Sequence, residues 1–210
     1  MIGIFGGTFD PVHYGHLRTV LDVREAAGLE QVRLVPLLGA VHRAQPATPA
    51  NIRLAMAQAA VAGTAELVVD DRELSRGGQS FTYDTLVSLR RDQGGEKPLA
   101  LILGADAFGG FLSWHRPLDI LGLAHVIVME RPGHVLGAGG ELGRLVADRR
   151  VADAAALAGS ASGSVLPVEV TQLEISSTDI RARVAAGRSI RFLVPEPVER
   201  IIRQLGLYRA

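Results

Sequence analysis

Residues 2–16 read IGIFGGTFDPVHYGH, and the fold turns on how this stretch is read. Residues 2–5 are an unbroken apolar run, which suits a strand buried on both faces, as in a parallel sheet. The run opens without a gap into Gly6, Gly7, the turn-forming Asp10-Pro11, and then His13 and His16 with Gly15 between them. A turn alone needs only glycine or proline, so the histidines ask for a further explanation. The glycines predict a tight turn and close approach of a ligand to the backbone. A strand that passes through glycines into a helix sets backbone N–H groups in an anion-binding concavity. The spacing is not the dinucleotide G-x-G-x-x-G, and no G-K-S/T follows as in a P-loop. Three apart on a helix, His13 and His16 share a face, and imidazole N–H groups aimed at one place suit phosphate oxygens whose charge shifts during transfer. Ordinary surface histidines and a metal pair are the competing readings; zinc is the weaker, since no third ligand of the H-E-x-x-H kind accompanies them.

Further apolar runs at 32–36, 67–69, 99–103, 125–129 and 165–170 are mostly continuous rather than alternating. Helical spacing lies between them: Leu17, Val20, Leu21 and Arg24 in one series, residues 52–61 in another, and residues 82–91 with Leu86 and Leu89 on one side. Strands alternating with helices predict an α/β, Rossmann-like, doubly wound parallel sheet with helices on both faces. Residues 37–49 form a polar, proline-punctuated loop after the second strand, at the sheet edge where such folds bind ligands. Arg53 in NIRLAM reads as a helix-surface residue, with a role in bracing that loop as the alternative. Residues 133–164 are rich in Gly, Ala and Ser and read as a flexible surface insertion, with 141–157 as its helical middle.

At 210 residues the chain has the size of one domain, long enough to bury roughly 70% of the surface of its unfolded chain. Lys+Arg and Asp+Glu are both 22, so no general steering of nucleic acid follows, and a phosphate site has to be local. With no cysteine, disulfides, thiolate metal sites and a cysteine nucleophile are excluded. No apolar run approaches the ~20 residues of a membrane span, and the first residues lack the basic region of a signal peptide. The expectation is a cytoplasmic protein with neither a membrane nor a nucleic-acid partner.

A second element lies at 175–181, ISSTDIR. Ser176 is placed to cap a helix running through Ala186, with Asp179 three residues on as a capping-box variant. A cap does not explain Ser177 and Arg181. Four apart, they share a face at the positive end of the helix dipole, and Arg181 offers a fork of donors to phosphate.

GGTFDPVHYGH resembles the signature of the nucleotidyltransferase superfamily, in which T/H-x-G-H follows the first strand, and ISSTDIR resembles that superfamily's second motif. The segments DDRELSRGGQSFTYDTL (70–86), LILGADAFGGFLSWHR (101–116), VIVMERPG (126–133) and LVPEPVERIIRQLGLYR (193–209) extend the likeness over nearly the whole chain, to the bacterial nicotinate-nucleotide adenylyltransferases. The resemblance implies one nucleotidyltransferase domain over 1–210 that joins nicotinate mononucleotide to the AMP part of ATP, giving nicotinate adenine dinucleotide and pyrophosphate in NAD biosynthesis. The alternatives are phosphopantetheine adenylyltransferase, for which the 70–86 and 101–116 segments are not expected, and a non-catalytic nucleotide-binding domain, which has no need of both phosphate clamps.

Carried over residue by residue, the resemblance makes His13, His16 and Arg181 catalytic. It assigns ATP to Gly6, Gly7, Thr8, Phe9, His13, His16, Arg43, Gly104, Asp106, Ser176, Ser177 and Arg181. It assigns nicotinate mononucleotide to Thr82, Asp106, Trp114 and His115. Trp114, the only tryptophan, would stack on the pyridinium ring; a core or rim aromatic is the alternative. Main-chain N–H groups at Thr82 and His115 would hold the nicotinate carboxylate, and such donors disfavour an amide, whose NH₂ offers them no acceptor. Asp106 reads equally as a helix N-cap. Where relatives carry P-P-H-K, this chain has Ala40-Val41-His42-Arg43; a basic residue is kept and two rigid prolines are lost, and His42 reads as a solvated loop residue. Mg²⁺ is expected with ATP, bridging phosphates and keeping several waters, with no metal ligands from a dedicated carboxylate cluster. The oligomeric state, a homo-oligomer included, is left open.

Overall fold

The computed structural model describes residues 1–39, 46, 48–130 and 139–209; Arg43, His42 and the first part of the 133–164 segment lie outside these. In chain order the elements are β1 (Ile2–Gly7), α1 (Tyr14–Ala26), β2 (Gln31–Pro36), α2 (Ala50–Val61), β3 (Leu67–Val69), α3 (Arg72–Arg76), α4 (Thr82–Gln93), β4 (Leu99–Gly104), α5 (Ala105–Gly109), α6 (Pro117–Leu123), β5 (His125–Glu130), α7 (Gly140–Arg149), β6 (Val165–Glu169), α8 (Ser177–Ala185) and α9 (Glu196–Gln204). The strands form one parallel sheet in the order β3-β2-β1-β4-β5-β6. The expected α/β class is thus observed, with each apolar run as a strand. Sequence order along the sheet reverses at β1, so the GGTFDP segment leaves the sheet at the kind of position where doubly wound folds bind ligands.

The chain divides into two compact units. The first comprises Met1–Phe5, Val20–Arg33 and Phe81–Thr171. Its centre is β4 and β5, in register Leu101↔Val126 and Ile102↔Ile127. Consecutive residues of a strand face opposite sides, and Ala100, Leu101, Ile102, Val126, Ile127 and Val128 are all buried, so both faces are covered. Gly3 is needed for this packing: a Cβ there would come within 2.8 Å of a Leu29 methyl and 3.0 Å of one on Ile102. The connections are tied by Arg90, which donates to the carbonyls of Leu123 (2.7 Å from Nε), Ala161 (2.7 Å) and Lys97 (2.5 Å). His125, wholly buried, accepts from the Ser164 N–H at Nδ1 (3.2 Å) and so donates from Nε2 to the Ser160 carbonyl (2.9 Å).

The helix expected over 141–157 is broken. It ends at Arg149; Arg150 then bridges to Val165 and the Val151 N–H donates to the Val165 carbonyl. Pairing to a strand pulls the backbone extended, and Asp153 caps a separate 3₁₀ turn, Ala154–Gly159, through the Ala156 N–H (3.1 Å). Val146 and Leu157 from this segment are buried.

The second unit comprises Gly6–Thr19, Leu34–Ser80 and Gln172–Ala210. Helix α9 packs on α2. It buries Val198 and Ile202, four apart, and turns outward the i,i+4 pairs Arg200–Glu196 and Arg203–Glu199. Among the described residues, no helix is long and apolar enough to cross a membrane.

Candidate functional site

In the second unit, the residues after β1 do not turn by means of their glycines. Neither Gly6 nor Gly7 has a positive φ; the left-handed residue is Phe9, at φ 50. Gly7 is required for space instead, since a Cβ would sit 2.7 Å from the Phe9 ring, whereas one at Gly6 would meet nothing within 4 Å. The expected turning role of the glycines thus passes to Phe9. Its side chain is 1% exposed, and its ring meets the edge of His16 at 5.2 Å.

His13 and His16 come together, but not as two members of one helix face. Helix α1 starts at Tyr14, so His13 stands just before it. Its Nδ1 accepts from the His16 N–H at 3.3 Å, satisfying one of the donors a helix start leaves open. That bond puts the ring proton on Nε2, the nitrogen turned away from the cap. The two rings stack at 3.7 Å, 23° from parallel. Gly15 makes room: a Cβ there would lie 3.0 Å from His13 Cε1 and Nδ1 and 3.2 Å from the Ile175 carbonyl oxygen. Burial holds both imidazoles neutral, His13 down to about 4 and His16 to about 3, the latter lowered further by the charge of its neighbour. At neutral pH the pair therefore offers N–H donors without carrying charge.

The second motif reaches the same loop. Ser177 donates from Oγ to the Pro11 carbonyl (2.9 Å), and Arg181 from Nη1 to the Asp10 carbonyl (2.7 Å). Ser176 caps α8, accepting from the Asp179 N–H at 3.1 Å. The capping box is only half formed, because the Asp179 carboxylate instead accepts from Arg183 Nε at 2.6 Å.

Arg53 corrects the expectation of a surface residue: it is 1% exposed. Its guanidinium donates to three carbonyls, those of Thr8 (2.7 Å), Leu38 (3.0 Å) and Thr48 (3.1 Å). It braces the loop after β1 against the loop after β2, the alternative role named for it. Tyr208, which sequence reasoning missed, donates its hydroxyl to Asp10 Oδ1 at 2.6 Å. Neither signal was local: 45 residues separate Arg53 from Thr8, and 198 separate Tyr208 from Asp10.

In the first unit, Gly104 ends β4 and is the N-cap of α5; Asp106 is inside the helix's first turn and exposed, so the alternative of Asp106 as N-cap is not met. Trp114 is half-buried, its ring 5.8 Å from Phe111, which in turn stacks on Phe108 at 5.5 Å. Thr82 opens α4. Its neighbours bring this segment to His115, whose ring lies 4.5 Å from Phe81 and 6.0 Å from Tyr83. The Arg116 guanidinium lies 4.0 Å over the Tyr83 ring and pairs with Asp119 at 2.7 Å. Phe81, Tyr83 and His115 thus form one aromatic cluster, with Thr82 between the first two in sequence.

The cytidylyltransferase-like family model matches residues 4–183. A protein of Marinobacter nauticus named as a probable nicotinate-nucleotide adenylyltransferase is 45% identical over 99% of this chain and 96% of its own. One of Pseudomonas putida with the same name is 47% identical over 100% of this chain and 95% of its own. Among solved structures, the Plasmodium falciparum nicotinic acid mononucleotide adenylyltransferase complexed with NaAD superposes with a TM-score of 0.72 over 99% of this chain and 96% of that one, at 18% identity; this shows a shared fold.

Proposed function

The chain belongs to the nicotinate-nucleotide adenylyltransferase family, and on that premise we propose that it transfers the AMP moiety of ATP to nicotinate mononucleotide, forming nicotinate adenine dinucleotide and pyrophosphate. The observation that carries the proposal is the His13–His16 pair: two buried, stacked, neutral imidazoles directly after β1, one with its donor nitrogen set by the helix cap.

A 5′-phosphate oxygen of nicotinate mononucleotide attacks the α-phosphorus of ATP in line. The bond from that phosphorus to the β-bridging oxygen breaks, and pyrophosphate leaves with the electron pair. The nucleophile is already an anion, so no general base is called for, and positioning with charge stabilisation dominates. His13 Nε2–H and the His16 imidazole donate to the oxygens of the α-phosphate as charge shifts onto them. Neutral donors in a desolvated site stabilise that charge without having to shed a hydration shell. Ser177 and Arg181, with Ser176 at the α8 terminus, hold the β- and γ-phosphates. Gly6, Gly7, Thr8 and Phe9 line the nucleotide's path, with Gly104, Asp106 and Arg43 as further contacts. Mg²⁺ enters as part of MgATP. Its charge would offset that of the phosphates, and as a hard cation it would keep oxygen ligands and several waters.

Trp114 stacks on the pyridinium ring, Asp106 reaches the ribose, and the Thr82 and His115 N–H groups donate to the carboxylate. A cytoplasmic location goes with this reading. Pyrophosphate release from MgATP, with nicotinate mononucleotide, nicotinamide mononucleotide or phosphopantetheine in turn as acceptor, tests the reading. Strong turnover with the first alone is expected. Equal turnover with both pyridine nucleotides would remove the carboxylate argument at Thr82 and His115. Turnover with phosphopantetheine alone, or none at all, would overturn the assignment.

A further inference from the structure

The chain's end reaches back to its opening motif. Asp10, in GGTFDP, is 4% exposed. Buried carboxylates ordinarily take a cationic partner when one is in reach, and two cations are near: the buried Arg53, whose guanidinium feels the Asp10 charge, and Arg181, whose charge acts on the phenol bonded to Asp10 and whose Nη1 lies 2.7 Å from the main-chain oxygen of this same residue. Yet Arg181 donates to that carbonyl, while Oδ1 of the carboxylate accepts from the Tyr208 hydroxyl at 2.6 Å. Tyr208 is built into place. It holds a left-handed backbone (φ 62), which side chains other than glycine rarely adopt and which costs a steric clash. The turn before it is fastened to α9, with Leu207 N–H donating to the Ile202 carbonyl and Gly206 at φ 60. Burial and the Asp10 carboxylate both raise the phenol's pKa, so it stays a protonated donor throughout the working pH range.

We propose that Tyr208 is a positioning residue for ATP binding: its hydroxyl holds the Asp10 carboxylate away from Arg181, so that the guanidinium keeps its charge and donors for the polyphosphate. Without that hydroxyl, the carboxylate turns to Arg181 and forms an internal ion pair that competes with the phosphates. The inference rests on the reading of Arg181 as a phosphate clamp.

The test is the dissociation constant of MgATP by calorimetry, together with KM for each substrate, in the full-length protein and in Tyr208→Phe, Asp10→Asn and the double variant. Tyr208→Phe should weaken MgATP about tenfold, the scale of one charge-assisted hydrogen bond. KM for nicotinate mononucleotide should hold steady. Asp10→Asn keeps an oxygen for the phenol but has no charge, and should bind MgATP like the unmodified protein. The double variant should recover tight binding, because an amide does not neutralise Arg181. Unchanged MgATP binding by Tyr208→Phe overturns the proposal, and so does a double variant as weak as Tyr208→Phe, which marks the tail as merely structural. Should Tyr208→Phe not fold, Asp10→Glu serves: its longer carboxylate reaches past the phenol and should weaken MgATP, and wild-type binding by it overturns the inference. Arg181→Ala that binds MgATP as tightly as the unmodified protein removes the premise. Binding measured this way needs no acceptor, so a protein that binds MgATP but does not turn over nicotinate mononucleotide sinks the adenylyl-transfer reading alone.

Discussion

The loop around His13 and His16 and the cluster around Trp114 and His115 are held in different ways. The first is buried and pinned through its own backbone: Arg53 takes the Thr8 carbonyl, Arg181 that of Asp10, and Ser177 that of Pro11. The second is half-buried or exposed and held through ring contacts, Phe81 tilted and Tyr83 edge-on against His115, with Arg116 over Tyr83. Stabilising charge as it develops needs donors fixed to within a fraction of an ångström and shielded from water. Recognising a flat ring needs a face and tolerates sliding, because stacking is broad in its geometry. On the proposed reading, one chain is rigid where charge would move and keeps adaptable surface where shape would be read.

The sharpest break of that contrast is His16→Ala, which should lower kcat on the order of 10²–10³, as for loss of a transition-state donor. An intact fold with kcat nearly unchanged would show that the buried pair does no catalytic work. Gly15→Ala comes next. Its methyl would push on the His13 ring from 3.0 Å, so kcat should fall about tenfold with KM little moved, since misplacement by a fraction of an ångström is costly at a reacting centre; steady-state kinetics decide. On the other side, Trp114→Ala should raise KM for nicotinate mononucleotide about fivefold, the scale of an aromatic stack, with ATP spared. An equal loss for both substrates would erase the division of labour.

The smallest effect near neutrality is on stability. Burial lowers His13 and His16 from 6.5 to about 4 and about 3, so below 6.5 the unfolded chain binds more protons than the folded one. The stability these neutral imidazoles allow is complete above about pH 6.5. It falls as the pH drops toward 4 and then 3, and levels off below. His125, also lowered by burial, acts in the same direction. Melting temperatures between pH 8 and 5 should therefore fall less for His13→Asn than for the unmodified protein; parallel curves would contradict the burial argument.

Periodicity and motif spacing were enough to read the strands, the α1, α2 and α4 helices, the Ser176 cap and the nearness of His13 to His16, because each depends on residues a few positions apart. Hydrophobic runs fix strands by burial, and a helix start fixes its own cap. The turn falls at Phe9 and not at the glycines because φ at one residue answers to the packing of a ring that only the folded core supplies. Arg53 looked like a surface residue because a lone cation on an apolar helix usually is one; three carbonyls brought from distant loops made its burial tolerable.

What residue order settles here is therefore local and chemical: an α/β chain whose first strand delivers two histidines, and a late helix that carries serine and arginine one turn apart near its start. What folding adds is long-range: Arg53 across 45 residues to Thr8, and Tyr208 across 198 residues to Asp10. Such bonds have no spacing rule to betray them. They exist because a buried donor or acceptor must find a partner, and which partner it meets is decided by how the chain has already packed.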